Sequence, residues 1–277
     1  MLVNELRKRY PIKPCLKVLH ISRNQYYYWW YRVNTPDPDV KLRLAIKDIT
    51  TTFPFYGFPR VNVLVGQAGF KVNHKKVRRI YRELALQMPM KIKRSRKLYE
   101  DSFSKNLTQA QFPNHVWAMD FLKSFLSTGK PFRAFLSVDI MARDIVSSKI
   151  DFSLPSAEVV TALDASFDKH GKPMFIRSDN GPEFRSKLTG RFLSNERVSR
   201  EFIEKGKPFQ NGFAESLVDK VKEEFFNRFV FDSIEEVREA WAEYLVFFNT
   251  QRPHQSLGYK TPKEVRKSAT YSLLKRV

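Results

Sequence analysis

Three carboxylates stand out for the company they keep. Asp179 ends a run that begins with Met174, Phe175 and Ile176, and it enters the turn Asp179-Asn180-Gly181-Pro182. That is the pattern of a buried strand stopping at a surface. Glu215 follows the loop Gly206-Lys207-Pro208-Phe209-Gln210-Asn211-Gly212 and stands at the opening of a helix. Asp120 lies inside the apolar run Trp117-Ala118-Met119-Asp120-Phe121. A carboxylate within an apolar strand is costly to bury without a partner or a cation. Three that converge raise one another's pKa unless a cation sits among them. A ligand set made only of oxygens favours a hard ion such as Mg²⁺ over zinc. Two such ions, about 3.5–4 Å apart, form a clamp for in-line phosphoryl transfer. Taken singly, each acid reads as a turn or capping residue; the three together point to metal-assisted chemistry on a phosphodiester.

Such a site needs a sheet to carry it. Trp117–Leu126, Lys130–Ile140 and Asp144–Phe152 are rich in Val, Ile and Phe and read as strands, the first two joined by the hairpin-like turn Ser127-Thr128-Gly129. Pro155-Ser156 opens a helix with Val159, Val160, Leu163 and Phe167 inward, and Gly171-Lys172-Pro173 turns into the strand that delivers Asp179. Leu188–Leu193 reads as a helix, Val198–Ile203 as a strand, and Ser233 caps a helix reaching Phe248. A final short helix is expected over Pro262–Val265. Three antiparallel strands followed by alternating helix and strand describe a mixed-sheet α/β domain.

The chain before this domain differs in kind. Residues 1–115 hold 23 basic and 7 acidic side chains, whereas residues 116–277 hold 26 and 22. The excess in the front half calls for a polyanionic partner. Ser22 caps a helix bearing the aromatic block Tyr26-Tyr27-Tyr28-Trp29-Trp30, residues 33–39 form a linker with two prolines, and Asp39 is placed to cap the next helix. Pro59 starts a helix that Gly69 ends, and Asn73 caps another with Val77, Ile80, Tyr81 and Leu84 inward. Lys75, Lys76, Arg78, Arg79 and Arg82 occupy its other face. Two short helices joined by a glycine-containing turn, the second strongly basic, read as a helix-turn-helix whose cations meet DNA phosphates. The division expected is an N-terminal helical segment over 1–32, a helix-turn-helix region over 33–90, a basic linker over 91–112 and a catalytic core over 113–277.

Cys15 is the only cysteine, so neither an internal disulfide nor a zinc finger can form. No apolar run approaches 18 residues and no apolar signal core follows the N-terminal charges. A cytoplasmic protein with no membrane association is expected.

The motifs Trp117-x-x-Asp120, Ser178-Asp179-Asn180-Gly181-x-Glu183-Phe184, Gly206-Lys207-Pro208-x-Gln210-Asn211-Gly212-x-x-Glu215-Ser216 and Asn249-x-x-Arg252-Pro253-His254-x-Ser256-Leu257-Gly258-Tyr259 occur in that order along the chain. With thirty-five residues between Asp179 and Glu215, they resemble the Asp-Asp-Glu core of the retroviral integrase and transposase superfamily, and more narrowly the OrfB-type transposases of bacterial insertion sequences. Ala142-Arg143-Asp144 and Leu217-Val218 depart from the family pattern.

The resemblance implies a ribonuclease-H-like core behind the all-α helix-turn-helix region. It implies that Asp120, Asp179 and Glu215 are catalytic residues holding two Mg²⁺ (or Mn²⁺) ions, and that the protein cuts double-stranded DNA at the ends of a mobile element and joins the freed 3′-hydroxyl to a target. Lys222, two helical turns beyond Glu215, is expected to touch DNA, as are Lys207, Arg252 and His254. A homo-oligomer on DNA and a partner encoded in an upstream reading frame are further implications. A catalytically inactive, domesticated DNA-binding protein and a plain metal nuclease are the alternatives.

Overall fold

The computed structural model describes residues 2–87, 107–204 and 208–274. The chain forms two compact units, Met1–Met88 and Pro89–Val277.

The first unit is all helical. α1 (Leu2–Leu6), α2 (Ile12–Val18) and α3 (Arg23–Asn34) gather around Val3, Leu16 and Tyr26. The Ser22 hydroxyl accepts from the Gln25 N–H and so caps α3 as its position predicts. α4 (Val40–Thr52), α5 (Phe58–Gln67) and α6 (His74–Glu83) bury Leu42, Ile46, Val61, Val65, Val77, Ile80 and Tyr81. Pro59 sits in the first turn of α5, and Asn73 caps α6 by accepting from the Lys75 N–H. Gly69 lies beyond the end of α5 at φ +91°, a conformation that costs a residue with a Cβ. Asp39 departs from expectation. It makes no cap bond; its buried carboxylate binds Lys76 at 2.5 Å and Arg79 at 2.9 Å.

The second unit is built on a five-stranded sheet: β1 (Val116–Phe125), β2 (Pro131–Asp139), β3 (Ile145–Asp151), β4 (Phe175–Ser178) and β5 (Ser199–Phe202), in spatial order β3-β2-β1-β4-β5. β1 runs antiparallel to β2 and β2 to β3, while β4 and β5 lie parallel to β1. Helices cover both faces, because the strands are apolar on both sides. α7 (Ser156–His170), α8 (Pro182–Arg185) and α9 (Lys187–Asn195) pack with Trp117, Met119 and Phe135. α10 (Gly212–Val221) and α11 (Ile234–Thr250) pack with Val116, Ala118, Leu122 and Leu136 on the other face. This is the mixed sheet of a ribonuclease-H-like core.

Between α10 and α11 the backbone widens into a π-helical turn over Lys222–Phe226. Glu224, Phe225 and Phe226 are all buried there. A regular helix of 3.6 residues per turn does not turn three successive side chains inward so readily. α12 (Pro262–Leu274) is longer than the short final helix expected. Arg266 anchors it, bonding the buried Asp139 at 3.1 Å and Asp144 at 2.5 Å. Among the described residues no helix is long and apolar enough to cross a membrane.

Candidate active site

Asp120 shares the parity of Ala118 and Leu122 in β1, so its side chain leaves the sheet on the face that α10 covers. β4 pairs with β1 in the register Val116↔Phe175, Trp117↔Ile176 and Ala118↔Arg177. Carried two residues further, that register sets Asp179 beside Asp120. Glu215 lies in the first turn of α10, the helix packed on β1. Three distant segments of sequence are thus brought to the middle of β1, just past the end of β4, one carboxylate from each.

Hydrogen bonds fix the segments to one another. Asn211 immediately precedes α10, and its Nδ2 donates to the Met119 carbonyl, next to Asp120, at 3.2 Å. Its Oδ1 is buried and has no hydrogen-bond partner among the described residues. Asn180 Nδ2 donates to the Ile203 carbonyl at 2.7 Å, tying the Asp179 turn to the end of β5. Asp179 Oδ1 accepts from the Gly181 N–H at 3.0 Å, and a Cβ on Gly181 would lie 3.0 Å from that same oxygen. Glycine at 181 lets the turn close this tightly. Gln210 bridges Glu204 from both ends of its amide, accepting from the backbone N–H and donating to the carboxylate. Glu183, in the motif that follows Asp179, is held by Arg133, whose Nη1 donates to it at 2.6 Å. The Arg133 guanidinium also lies 4.1 Å from the Phe121 ring centroid. Arg143, at one of the departures from the family pattern, adopts φ +65° and places its guanidinium 4.0 Å from the ring centroid of Phe213, two residues before Glu215.

The electrostatics follow from this crowding. Burial pushes the Asp120 carboxyl up to about 6, against the pull of the Phe121 N–H, and the charges of Asp179, Glu215 and Asp219 push the same way. Glu215 is raised by burial and by Asp219. Asp219 sits one turn after Glu215 on α10, where i and i+4 side chains are neighbours. No motif singles it out; its spacing from Glu215 is the signal that could have. Among the described residues, no three His, Cys, Asp or Glu side chains are drawn together closely enough to hold a metal ion as they stand. The donor chemistry nevertheless suits a hard divalent cation: carboxylate oxygens, a carboxyl raised by burial and then by its acidic neighbours, and no soft ligand.

The residues expected to touch DNA divide into groups. Lys75, Arg78 and Arg82 are exposed on α6, with Arg78 over the Phe58 ring. Lys76 and Arg79, on the same helix, are engaged with Asp39, and Arg79 also binds Glu83 at 2.8 Å. Lys222 is exposed where α10 passes into the π-helical turn. Lys207 and most of the basic linker lie outside the described residues. Arg252 and His254 are placed otherwise than expected. Arg252 is 1% exposed, and its Nε donates to Glu224 Oε2 at 2.6 Å and its Nη2 to Oε1 at 2.5 Å, with His254 Nε2 3.3 Å from Nη1. Their polar groups serve the interior of the fold rather than a DNA-facing surface. The partner acid lies 28 positions away, a separation at which sequence proximity gives no hint.

Family models match most of the chain. An HTH-like domain matches residues 37–94, and two integrase core domain models match residues 110–208 and 196–262. The insertion element IS407 uncharacterized 31.7 kDa protein of Burkholderia multivorans is 32% identical over 209 residues, 76% of this chain and 74% of that protein. The insertion element IS476 uncharacterized 39.2 kDa protein of Xanthomonas euvesicatoria is 30% identical over 221 residues, 80% of this chain and 63% of that protein. A putative transposase, InsK, for insertion sequence element IS150 of Escherichia coli is 27% identical over 274 residues, covering 95% and 96% of the two chains. Among solved structures, the HTLV-2 integrase catalytic core domain in complex with magnesium superposes with a TM-score of 0.43 at 20% identity, over 57% of this chain and 99% of that one.

Proposed function

The chain belongs to the insertion-element transposases with an HTH-like domain and an integrase core, and from that premise we propose that Asp120, Asp179 and Glu215 are the catalytic carboxylates of its DNA cleavage and strand joining. The observation that carries this reading is the placement of the three acids: neighbouring strands in parallel register bring two to one level, and the helix packed on that face brings the third.

The reaction is a pair of in-line displacements at phosphorus, a hydrolysis followed by a transesterification. In the first, a water oxygen bonds to phosphorus at the element's end and the 3′ oxygen leaves with a proton, freeing a 3′-hydroxyl. In the second, that hydroxyl oxygen bonds to a target phosphorus, the bond to the target's own 3′ oxygen breaks, and the proton given up by the entering hydroxyl is matched by the one taken up by the leaving oxygen. The three carboxylates would hold Mg²⁺ or Mn²⁺, two ions in all, which when bound supply activation of the entering oxygen and stabilisation of the leaving one. The protein's own work is positional. The β1–β4 pairing holds Asp120 and Asp179, Asn211 fastens the start of the Glu215 helix to β1, and Asn180 fastens the Asp179 turn to β5. Holding reacting groups in line in this way removes much of the entropic barrier. No step needs a covalent protein–DNA link.

Cations of both units meet the DNA. Lys75, Arg78 and Arg82 on α6 would grip phosphates without reading bases, and Lys222 would touch the strand near Glu215. Lys76 and Arg79 contribute less, since Asp39 already engages them. The division into an N-terminal helical segment, a helix-turn-helix region, a basic linker and a catalytic core is part of this proposal, as is action on DNA in the bacterial cytoplasm. Joining needs two element ends held at once, which favours a homo-oligomer assembled on DNA.

The test is strand joining of a labelled, pre-cut element end to plasmid in Mg²⁺, with wild type beside Asp179→Asn. Joined product from wild type and none from the variant is expected. Equal product from both, or cutting without joining, would sink the assignment.

A further inference from the structure

The helix-turn-helix and the acids leave one strongly charged feature unused. On the catalytic unit, a depression of about 450 Å³ lies between α8, α9 and the edge strand β5. Arg185, Lys187, Arg191 and Arg200 line it, with Ser194 and Asn195 beside them. All four cations are exposed, and among the described residues none has a carboxylate partner.

The missing partners are not a matter of distant acids. Glu183, Glu196 and Glu201 belong to the same elements or the turns beside them, and each is held by a different cation. Arg133 takes Glu183, Lys172 takes Glu196, and the buried Arg177 takes Glu201 at 2.9 Å. Four positive charges are therefore collected in one concavity while the neighbouring negative charges are engaged elsewhere. Cations merely solvating a helix face have no need of this arrangement; like charges held together raise the free energy of the site until an anion enters.

Arg200 is also shaped into the site. It reaches from β5 across α9 at Gly190, where an added Cβ would stand 3.0 Å from Nη1 and 3.1 Å from Cζ and Nη2. The absence of a side chain at 190 lets the guanidinium lie against the helix, beside Arg191. We propose that this depression binds the phosphate backbone of duplex DNA. Its donors are guanidinium, ammonium, hydroxyl and amide groups, which suit phosphate oxygens and carry no base preference. α8 begins three residues after Asp179, so DNA gripped here runs on from the strand presented to the acids. The inference deepens the transposase reading and rests on it for the course of the DNA, but the binding itself is measured without catalysis.

The experiment uses the full chain in EDTA and follows fluorescence anisotropy of a labelled duplex across a salt series. Arg185→Gln/Arg191→Gln is expected to lower the slope of log K against log salt by about 2, close to one for each phosphate no longer neutralised. Gly190→Ala removes no charge and suits a helix interior, yet it displaces Arg200 and is expected to lower the slope by about 1. Lys263→Gln/Lys267→Gln on α12 removes two charges elsewhere and should leave the slope within a few tenths of wild type. An unchanged slope in the Arg185/Arg191 variant overturns the site, and so does an equal fall in the α12 control, which would mean net charge alone. Tight, saturable binding of orthophosphate with DNA slopes unaltered would also overturn it. If strand joining survived Asp179→Asn while these slopes fell as expected, the catalytic assignment would fail and the DNA site would stand.

Discussion

On α10 two acids occupy successive turns, and they are not equivalent. Glu215 lies in the first turn of the helix packed on β1, whereas Asp219 acts on Asp120 more weakly than Asp179 or Glu215 does. Replacing Asp120 or Asp179 by Asn, or Glu215 by Gln, should lower the strand-joining rate on the order of 10³-fold or more, the scale of several kcal/mol of lost transition-state stabilisation. Asp219→Asn should stay within about tenfold of wild type, since it removes a neighbouring charge rather than a ligand. Single-turnover joining rates check both, and a loss at Asp219 as deep as at Glu215 would make it a fourth essential carboxylate. The sequence marks the first three acids because each sits where an apolar run or a glycine-rich loop would not otherwise place a charge. Asp219 is invisible to that reasoning, being one acid among ordinary helix residues. Its importance comes from the turn of the helix, not from its chemical neighbours in the chain.

Among the elements, the π-helical turn and the helix ends decide stability. Glu224 is carried inward by the widened turn, and Arg252 meets it there with two hydrogen bonds. Breaking a buried pair by removing one partner leaves an uncompensated charge, so Glu224→Gln should destabilise the protein by about 3–5 kcal/mol. The double variant Glu224→Leu/Arg252→Met should recover much of that loss, as chemical denaturation would show. His170, at the end of α7, gives the fold a pH dependence. Burial, then Arg266 and Lys169, push its imidazole down to about 4 from an ordinary 6.5. The unfolded chain therefore binds the proton more readily, and stability is lost as pH falls from about 6.5 towards 4, by about 3 kcal/mol at most. His170→Gln should flatten that limb of a stability–pH curve; an unchanged limb would place the titration elsewhere. Strands and caps of this kind were largely legible in advance: Ser22 and Asn73 cap as placed, β2, β3 and β5 fall within the expected segments, and β1 is offset from its expected segment by one residue. What the chain order hides is the partner chosen across the fold. Asp39 looks like a cap and is an ion-pair acceptor, and Arg252 and His254 look like a surface motif because nothing nearby announces Glu224.

Across the whole molecule the charge is unevenly spread, with a net +16 in residues 1–115 and +4 in residues 116–277. The imbalance matters because phosphate binding releases counterions in proportion to the cations that make contact. Not every cation counts towards that total. On α6, Lys76 and Arg79 are engaged by Asp39, whereas Lys75, Arg78 and Arg82 face solvent with no acid in contact among the described residues. The triple variant Lys75→Gln/Arg78→Gln/Arg82→Gln should therefore lower the salt slope of duplex binding by about 3, with little change in thermal stability. Lys76→Gln/Arg79→Gln should do the reverse. The slope would move less, and the melting temperature would fall, because Asp39 would be left buried without its cations. Anisotropy titrations paired with thermal melts separate the two. Should both variants shift the slope alike and leave the melt alone, the ion pairs with Asp39 would count for nothing in solution, and the basic face of α6 would act only as undifferentiated charge.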